Sequence, residues 1–280
     1  MEYLALFIWL ALCLVMGALM HYAMAGALTH RAVQLLAAPG MIVRKITMTV
    51  TALVCGGTVT KVSIYELSGH DIDFKAEGPA SVAKVLVPLA PVFGGAVAMI
   101  QLNGMFGSPL DLHYVPPELS ALSGSGFKGF LYGTWLVLSS IVGQAIKADW
   151  HTLTLYCLFA LTFSLALGAC APASRVKEAI LGAGLVAVVL ALLSSIAVRK
   201  AGILAGSPVW FTSTRTFIIE SSGVAFLMMV YGMLAALVVG FTMRAYELLF
   251  KSGGKGAAGR KGKGKGRTAR LDEGEEREAA

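Results

Sequence analysis

Residues 39–61 read PGMIVRKITMTVTALVCGGTVTK, and this stretch decides the expected fold more than any other part of the chain. A Pro-Gly pair opens an apolar run that, together with the residues before it, is long enough to cross a bilayer. Two adjacent cations, Arg44 and Lys45, interrupt the run, and the small residues Cys-Gly-Gly end it. The Val- and Thr-rich letters that follow are typical of a β-strand. The stretch therefore predicts a membrane helix that carries charge and leads directly into a strand.

The composition of the whole chain indicates a polytopic membrane protein. Apolar residues make up 56% of the 280 residues, charged residues only 14%, and the mean hydropathy is +0.73. Such values are rare in soluble domains. We predict an all-α transmembrane domain over residues 1–250, with about six to seven transmembrane helices. The apolar runs on which this prediction depends are residues 4–27, 36–57, 82–103, 128–147, 150–171, 178–198 and 216–248.

Two connections between these runs are long enough to hold structure of their own. Residues 58–80 alternate apolar and polar positions around the turn-forming letters Ser-Gly-His-Asp, which predicts a small β-hairpin after the second span. Residues 104–127 contain three prolines and four glycines, which predicts an irregular loop.

Residues 251–280 form a tail of uneven charge. The first twenty hold eight Lys or Arg and no acid, and the last ten hold five acids against one Arg. This composition cannot bury apolar surface, so we expect a disordered cytoplasmic tail. The tail is either simply solvated or binds anionic lipid through its cations. Nucleic acid is not expected as a partner, because no aromatic residue lies among the lysines. The candidate lipid-binding cations are Lys255, Arg260, Lys261, Lys263 and Lys265.

The stretch that begins at Pro39 resembles the active-site helix of the site-2-protease family of intramembrane zinc metallopeptidases. In that family a Pro-Gly pair leads into an apolar helix with His-Glu-x-x-His, then a small-residue turn and a strand. Here the frame is present, but the three motif positions read Arg44, Lys45 and Met48. Two later segments, 85–95 (VLVPLAPVFGG) and 159–180 (FALTFSLALGACAPASRVKEAI), are similar to further segments of the family. The resemblance implies a degenerate member without a catalytic or metal site.

The residue types support the same interpretation without the family. Hydrolytic zinc needs an i, i+4 pair of ligands, a third protein ligand, a bound water and a general base. Arg44 stays protonated and cannot coordinate, and Lys45 repels a cation and provides no carboxylate. Met48 is a soft thioether, which is unsuited to catalytic zinc. The family's third ligand, an Asp, has only a distant counterpart in Asp111, which follows Asn103 with the wrong spacing.

The five histidines do not suggest a metal site, because none of them has another His, Cys or acid at i+3 or i+4 within a predicted helix. His70-Asp71-x-Asp73, in the predicted turn, is only a weak surface-cation pattern. They are His21, His30, His70, His113 and His151. His21 lies inside the first span, where it is interpreted as a hydrogen-bonded interhelical residue or, alternatively, as a ligand to a haem or chlorin. No cofactor is predicted.

These observations predict a catalytically inactive membrane protein that acts as a scaffold or accessory subunit of a membrane protein complex, with other integral membrane proteins as partners. We expect it in the inner membrane of a bacterium with its C-terminus in the cytoplasm. One alternative is a channel or transporter with a polar path beside Arg44 and Lys45, and another is a pigment-binding or haem-binding subunit.

The cations Arg44 and Lys45 are costly inside a membrane and should therefore have partners. One expectation is that both side chains extend to the headgroups or pair with an acid of the chain. The alternative is that one of them meets an acidic group of a partner protein or lipid. The acids within reach by sequence are Glu66, Asp71, Asp73, Glu77 and Asp111.

Overall fold

The computed structural model describes residues 2–24, 31–62, 72–75, 81–119, 121, 123–148, 152–170, 175–201 and 209–251. Within them the chain forms eight helices and two strands. In chain order these are α1 (Glu2–Met24), α2 (Arg31–Val54), β1 (Thr58–Val62), β2 (Ile72–Lys75), α3 (Ala83–Leu86), α4 (Ala90–Met105), α5 (Gly124–Lys147), α6 (Leu153–Ala169), α7 (Val176–Ala201) and α8 (Val209–Lys251).

The predicted class, an all-α polytopic membrane protein with a small hairpin after the second span, is confirmed. Five helices, α1, α2, α5, α7 and α8, are long and apolar enough to cross a bilayer, and α6 is a shorter apolar helix. Each of the seven predicted runs contains at least one helix. The first connection holds the predicted hairpin, in which β1 and β2 pair antiparallel.

Two predicted spans differ in detail from the structure. The run 82–103 is divided into α3 and α4 by a turn at residues 87–89. Pro88 lies in this turn and Pro91 lies in the first turn of α4, where a missing N–H group is tolerated. The last run begins earlier than predicted, because α8 continues from Val209 without a break through Arg215 and Glu220.

The chain divides into two compact units, Met1–Gly240 and Phe241–Ala280. The predicted boundary at residue 250 falls within the second unit. Residues 252–280, with the five candidate lipid-binding cations, lie outside the described residues.

The core of the first unit is built around α1 and the middle of α8. Trp9 is completely buried, its ring lies 4.2 Å from that of Phe226, and its Nε1 donates a hydrogen bond to the Ser222 carbonyl oxygen at 3.1 Å. Further along α8, the buried Tyr231 hydroxyl donates to Oε1 of Gln144 on α5 at 2.9 Å. These polar contacts fix the position of α8 inside an otherwise apolar core.

Helices α2 and α6 cross at unusually short distance because both present small residues. The Gly40 amide donates to Ser164 Oγ at 2.8 Å, and a Cβ added at Gly40 would lie only 1.8 Å from the Ser164 carbonyl oxygen. One turn later, a Cβ at Gly168 would lie 2.1 Å from the Gly40 carbonyl oxygen. Small residues spaced four apart permit this kind of backbone contact between membrane helices.

The hairpin is attached to the end of α2 by a small apolar cluster. Val59 of β1 and Phe74 of β2 pack against a group of buried residues, Met48, Ala52, Ala83 and Val87. A two-stranded sheet is marginally stable alone, so this contact supplies much of its support. The predicted turn at residues 68–71 lies outside the described residues.

Candidate functional site

Helix α2 buries its two central cations, whereas several of its large apolar side chains are exposed. Ile42, Ile46 and Val50 are each more than half exposed, whereas Arg44 is 6% and Lys45 is 5% exposed. In water this arrangement would be strongly unfavourable, but in a bilayer the exposed apolar face is solvated by lipid. The buried face forms one continuous stripe that contains Val33, Ala37, Gly40, Met41, Arg44, Lys45, Met48 and Ala52.

Arg44 has a defined structural contact at the end of α6. Its Nη1 donates a hydrogen bond to the carbonyl oxygen of Cys170 at 2.9 Å, and Cys170 is the C-terminal cap of that helix. The last carbonyl groups of a helix have no partners within the helix and carry the negative end of its dipole. The guanidinium therefore compensates a helix end that lies inside the protein.

The structure places Arg44, Lys45 and Met48 together on the buried face of α2. Lys45 is buried next to Arg44, and Met48 is 1% exposed within the cluster that holds the hairpin. Both side chains are buried, which does not agree with extension to the headgroups. The other half of that expectation, an acidic partner within the chain, stays a prediction. Of their candidate acidic partners, Glu66, Asp71 and Glu77 lie outside the described residues, and Asp73 and Asp111 are exposed.

The contacts of Thr47, near the two cations, do not indicate a polar path. Thr47 donates its hydroxyl hydrogen within α2, where the carbonyl oxygens of Val43 and Arg44 both lie at 2.9 Å. Its methyl group faces α4, since a Cβ added at Gly94 would lie 2.0 Å from Thr47 Cγ2. Thr47 therefore serves helix packing between α2 and α4.

The described residues do not fit a catalytic metal centre. They contain no group of three or more His, Cys, Asp or Glu side chains that could hold a metal ion. Asp111, which the sequence resemblance compares with a third ligand, is exposed in the loop after α4, and its Oδ1 accepts a hydrogen bond from the His113 amide at 3.0 Å. Because Arg44, Lys45 and Met48 cannot provide the remaining ligands, we derive no metal-dependent step.

Two of the five histidines fall within the described residues. His21 is half-buried on α1, and His113 is exposed in the loop that follows α4. The other three, His30, His70 and His151, lie outside the described residues.

Sequence reasoning missed two features of this region. The first is the contact of Arg44 with the end of α6, which no local pattern could indicate. The second is Asn103, which is buried and binds both backbone groups of Leu110, donating from Nδ2 at 2.9 Å and accepting at Oδ1 at 3.1 Å. Asn103-Gly104 followed by Pro109-Leu110 is typical of a turn, whereas the sequence analysis considered this segment only as a source of a metal ligand.

Several cavities are lined by residues that the structure describes in the first unit. One of about 520 Å³ lies between α4, the following loop and α8; one of about 400 Å³ lies along α5; and one of about 70 Å³ lies beside Glu2. Neither Arg44 nor Lys45 is among the described residues that line these cavities. Comparison of the chain with protein-family models, with curated proteins and with solved structures found no match.

Proposed function

We propose that the chain is a catalytically inactive, site-2-protease-like membrane protein that acts as a scaffold or accessory subunit of a membrane protein complex. The proposal depends on the position of Arg44 and on its hydrogen bond. At a position where a peptidase of this family would need a metal ligand, the side chain is buried and donates to the Cys170 carbonyl oxygen at 2.9 Å. The side chain therefore holds two helices together, and it cannot take part in zinc hydrolysis.

The neighbouring motif positions support the same proposal. Lys45 stands where the Glu of the His-Glu-x-x-His motif would stand, and its side chain offers no carboxylate. Met48 packs in the apolar cluster beneath the hairpin. None of the three positions thus offers the chemistry of a hydrolytic zinc site.

The partners proposed for this scaffold are other integral membrane proteins, with anionic lipid at the basic tail. The apolar outer surface includes a row of large side chains on α5, such as Leu131, Trp135 and Leu136, which are about half exposed or more. Such a surface suits lipid or a neighbouring membrane helix. We place the protein in the inner membrane of a bacterium, with the tail in the cytoplasm, because of the cluster of Lys and Arg after α8.

The alternative of an anion path through the bundle has weaker support. A conducting path requires that its cations line a cavity, and in the described part of the chain Arg44 and Lys45 are enclosed by packed helices. The threonine next to them is hydrogen-bonded within its own helix.

The proposal is tested by extracting the tagged protein from its native membranes into nanodiscs and cross-linking it before mass spectrometry. An unrelated polytopic protein with the same tag is the control. We expect a defined integral membrane protein in fixed ratio to the chain, joined to it by cross-links at the outer helix faces. A chain that is isolated alone, and that cleaves transmembrane peptides in a manner sensitive to a zinc chelator, would overturn the proposal.

A further inference from the structure

Helices α1 and α8 lie side by side and run in the same direction. Glu2 of α1 forms an ion pair with Arg215 of α8, and Trp9 Nε1 donates to the Ser222 carbonyl oxygen at 3.1 Å. In both contacts the partner on α8 lies 213 positions later in the chain. A constant separation in sequence requires parallel helices, because in an antiparallel pair the separation falls by two for each residue along the first helix.

The same register continues along the middle of both helices. A Cβ added at Gly17 would lie 3.5 Å from Met229 Cε, and a Cβ added at Gly232 would lie 2.9 Å from Met20 Sδ. Each helix thus places a methionine over a glycine of the other, and the separation in sequence stays the same to within one position. Close contact at small residues is typical of paired membrane helices. The parallel pairing therefore extends over most of α1.

One end of this pair has the features of a membrane surface. Glu2 and Arg215 are both partly exposed, and Trp210, which precedes them on α8, is 61% exposed. Charged side chains and tryptophans are typical of helix ends at the headgroup layer. The uncharged stretches that follow, residues 3–24 of α1 and 221–243 of α8, are each long enough to cross a bilayer. Both helices therefore enter the membrane from this end.

Helix α5 runs in the same direction as this pair. A Cβ added at Gly133 would lie 2.7 Å from Pro117 Cβ, and Pro117 lines the small cavity beside Glu2. Two turns later in α5, the Ile141 carbonyl oxygen lies 3.3 Å from the hydroxyl oxygen of Tyr231, which is well past the start of α8. Five long helices that alternate in direction would place α1, α5 and α8 parallel, as these contacts require.

We infer that α1 and α8 cross the membrane in the same direction, so that the starts of both helices face one compartment. The chain then crosses an even number of times between these two points. Among the described helices, α1, α2, α5 and α7 supply four crossings, so the shorter helices α4 and α6 either both cross or both do not. With α8 the total is five or seven, and six is excluded. The inference is independent of the proposed scaffold function, because no residue of α2 carries it.

The first measurement is the sidedness of single cysteines in the full-length chain. Glu2→Cys and Val209→Cys place thiols at exposed positions at the starts of α1 and α8. Right-side-out and inverted membrane vesicles are treated with a membrane-impermeant maleimide, and the wild type with its four native cysteines is the blank. We expect both variants to react in one vesicle preparation and to stay unlabelled in the other. Reaction from opposite sides overturns the inference, and so does the absence of labelling in both preparations.

The second measurement tests the register without reference to the membrane. In the double variant Glu2→Cys/Arg215→Cys, copper phenanthroline should produce a disulfide, because the native side chains are in contact. The matched control is Glu2→Cys/Gly240→Cys, whose second thiol lies about 37 Å further along α8 and should not cross-link. The inference is overturned if the control pair cross-links, or if the first pair fails to cross-link in protein that keeps the unfolding midpoint of the wild type.

Discussion

The crossing of α2 and α6 predicts that Gly40→Ala severely destabilises the protein. The new Cβ would lie 1.8 Å from the Ser164 carbonyl oxygen and 3.0 Å from the Leu165 amide nitrogen, whereas ordinary contacts begin near 3.4 Å. Because the clashing atoms belong to backbone, no rotamer change can relieve the overlap, and the helices must separate. The separation also weakens the hydrogen bond from the Gly40 amide to Ser164 Oγ. Overpacking and the weakened hydrogen bond together should cost about 2–4 kcal/mol.

The assay is reversible unfolding in mixed micelles by titration with a denaturing detergent, followed by tryptophan fluorescence. Gly129→Ala is the matched control, since this helical glycine of α5 has no heavy atom within 4 Å of the added Cβ. It should be neutral or stabilise by up to about 1 kcal/mol. Gly168→Ala should act like Gly40→Ala, and the double variant should cost less than the sum, because one separation relieves both clashes. Equal stability of Gly40→Ala and Gly129→Ala would refute the close crossing.

Three further predictions follow from other contacts. Arg44→Met should cost about 1.5–3 kcal/mol in the same unfolding assay, because it leaves a buried carbonyl group unpaired. The control Arg215→Met, which removes a half-exposed ion pair with Glu2, should cost less than about 1 kcal/mol. Equal losses of stability would contradict the role given to Arg44. Asn103→Ala should speed hydrogen exchange of the Leu110 amide, and unchanged protection would show that the side chain does not hold the loop. Truncation after Phe250 should leave the Tm within error, because the Gly- and Lys-rich tail cannot pack; a loss of several degrees would show that the tail stabilises the fold.

The helices and the hairpin could be predicted from the sequence because they depend on local patterns. Apolar runs of sufficient length located every long helix, and alternation located β1 and β2. The division of the third run into α3 and α4 was missed, although Pro88 and Pro91 were visible, because the run was judged by its apolar length. Proline lacks the backbone N–H group that donates within a helix, so it favours a break whatever the hydropathy of its neighbours, although α2 continues through Pro39.

The interior position of Arg44 could not be predicted, because its partner lies 126 residues away along the chain. A cationic side chain near the start of an apolar helix can extend to water or point into the protein. For Arg44 the inward orientation depends on the end of α6, which is distant in the sequence. The same holds for the crossing at Gly40, whose contact with Ser164 spans 124 residues. The small residues were visible, but nothing local showed which of them face each other.

The buried face of α2 is held to stabilise the fold and not to perform zinc chemistry. The metal content of the protein purified without chelators tests this most directly. Inductively coupled plasma mass spectrometry of the protein in nanodiscs should give far less than one zinc per chain. The value should not change after dialysis against a strong chelator, and neither should the unfolding midpoint. Zinc close to one equivalent, removed by the chelator together with a loss of stability or of peptide cleavage, would contradict the account.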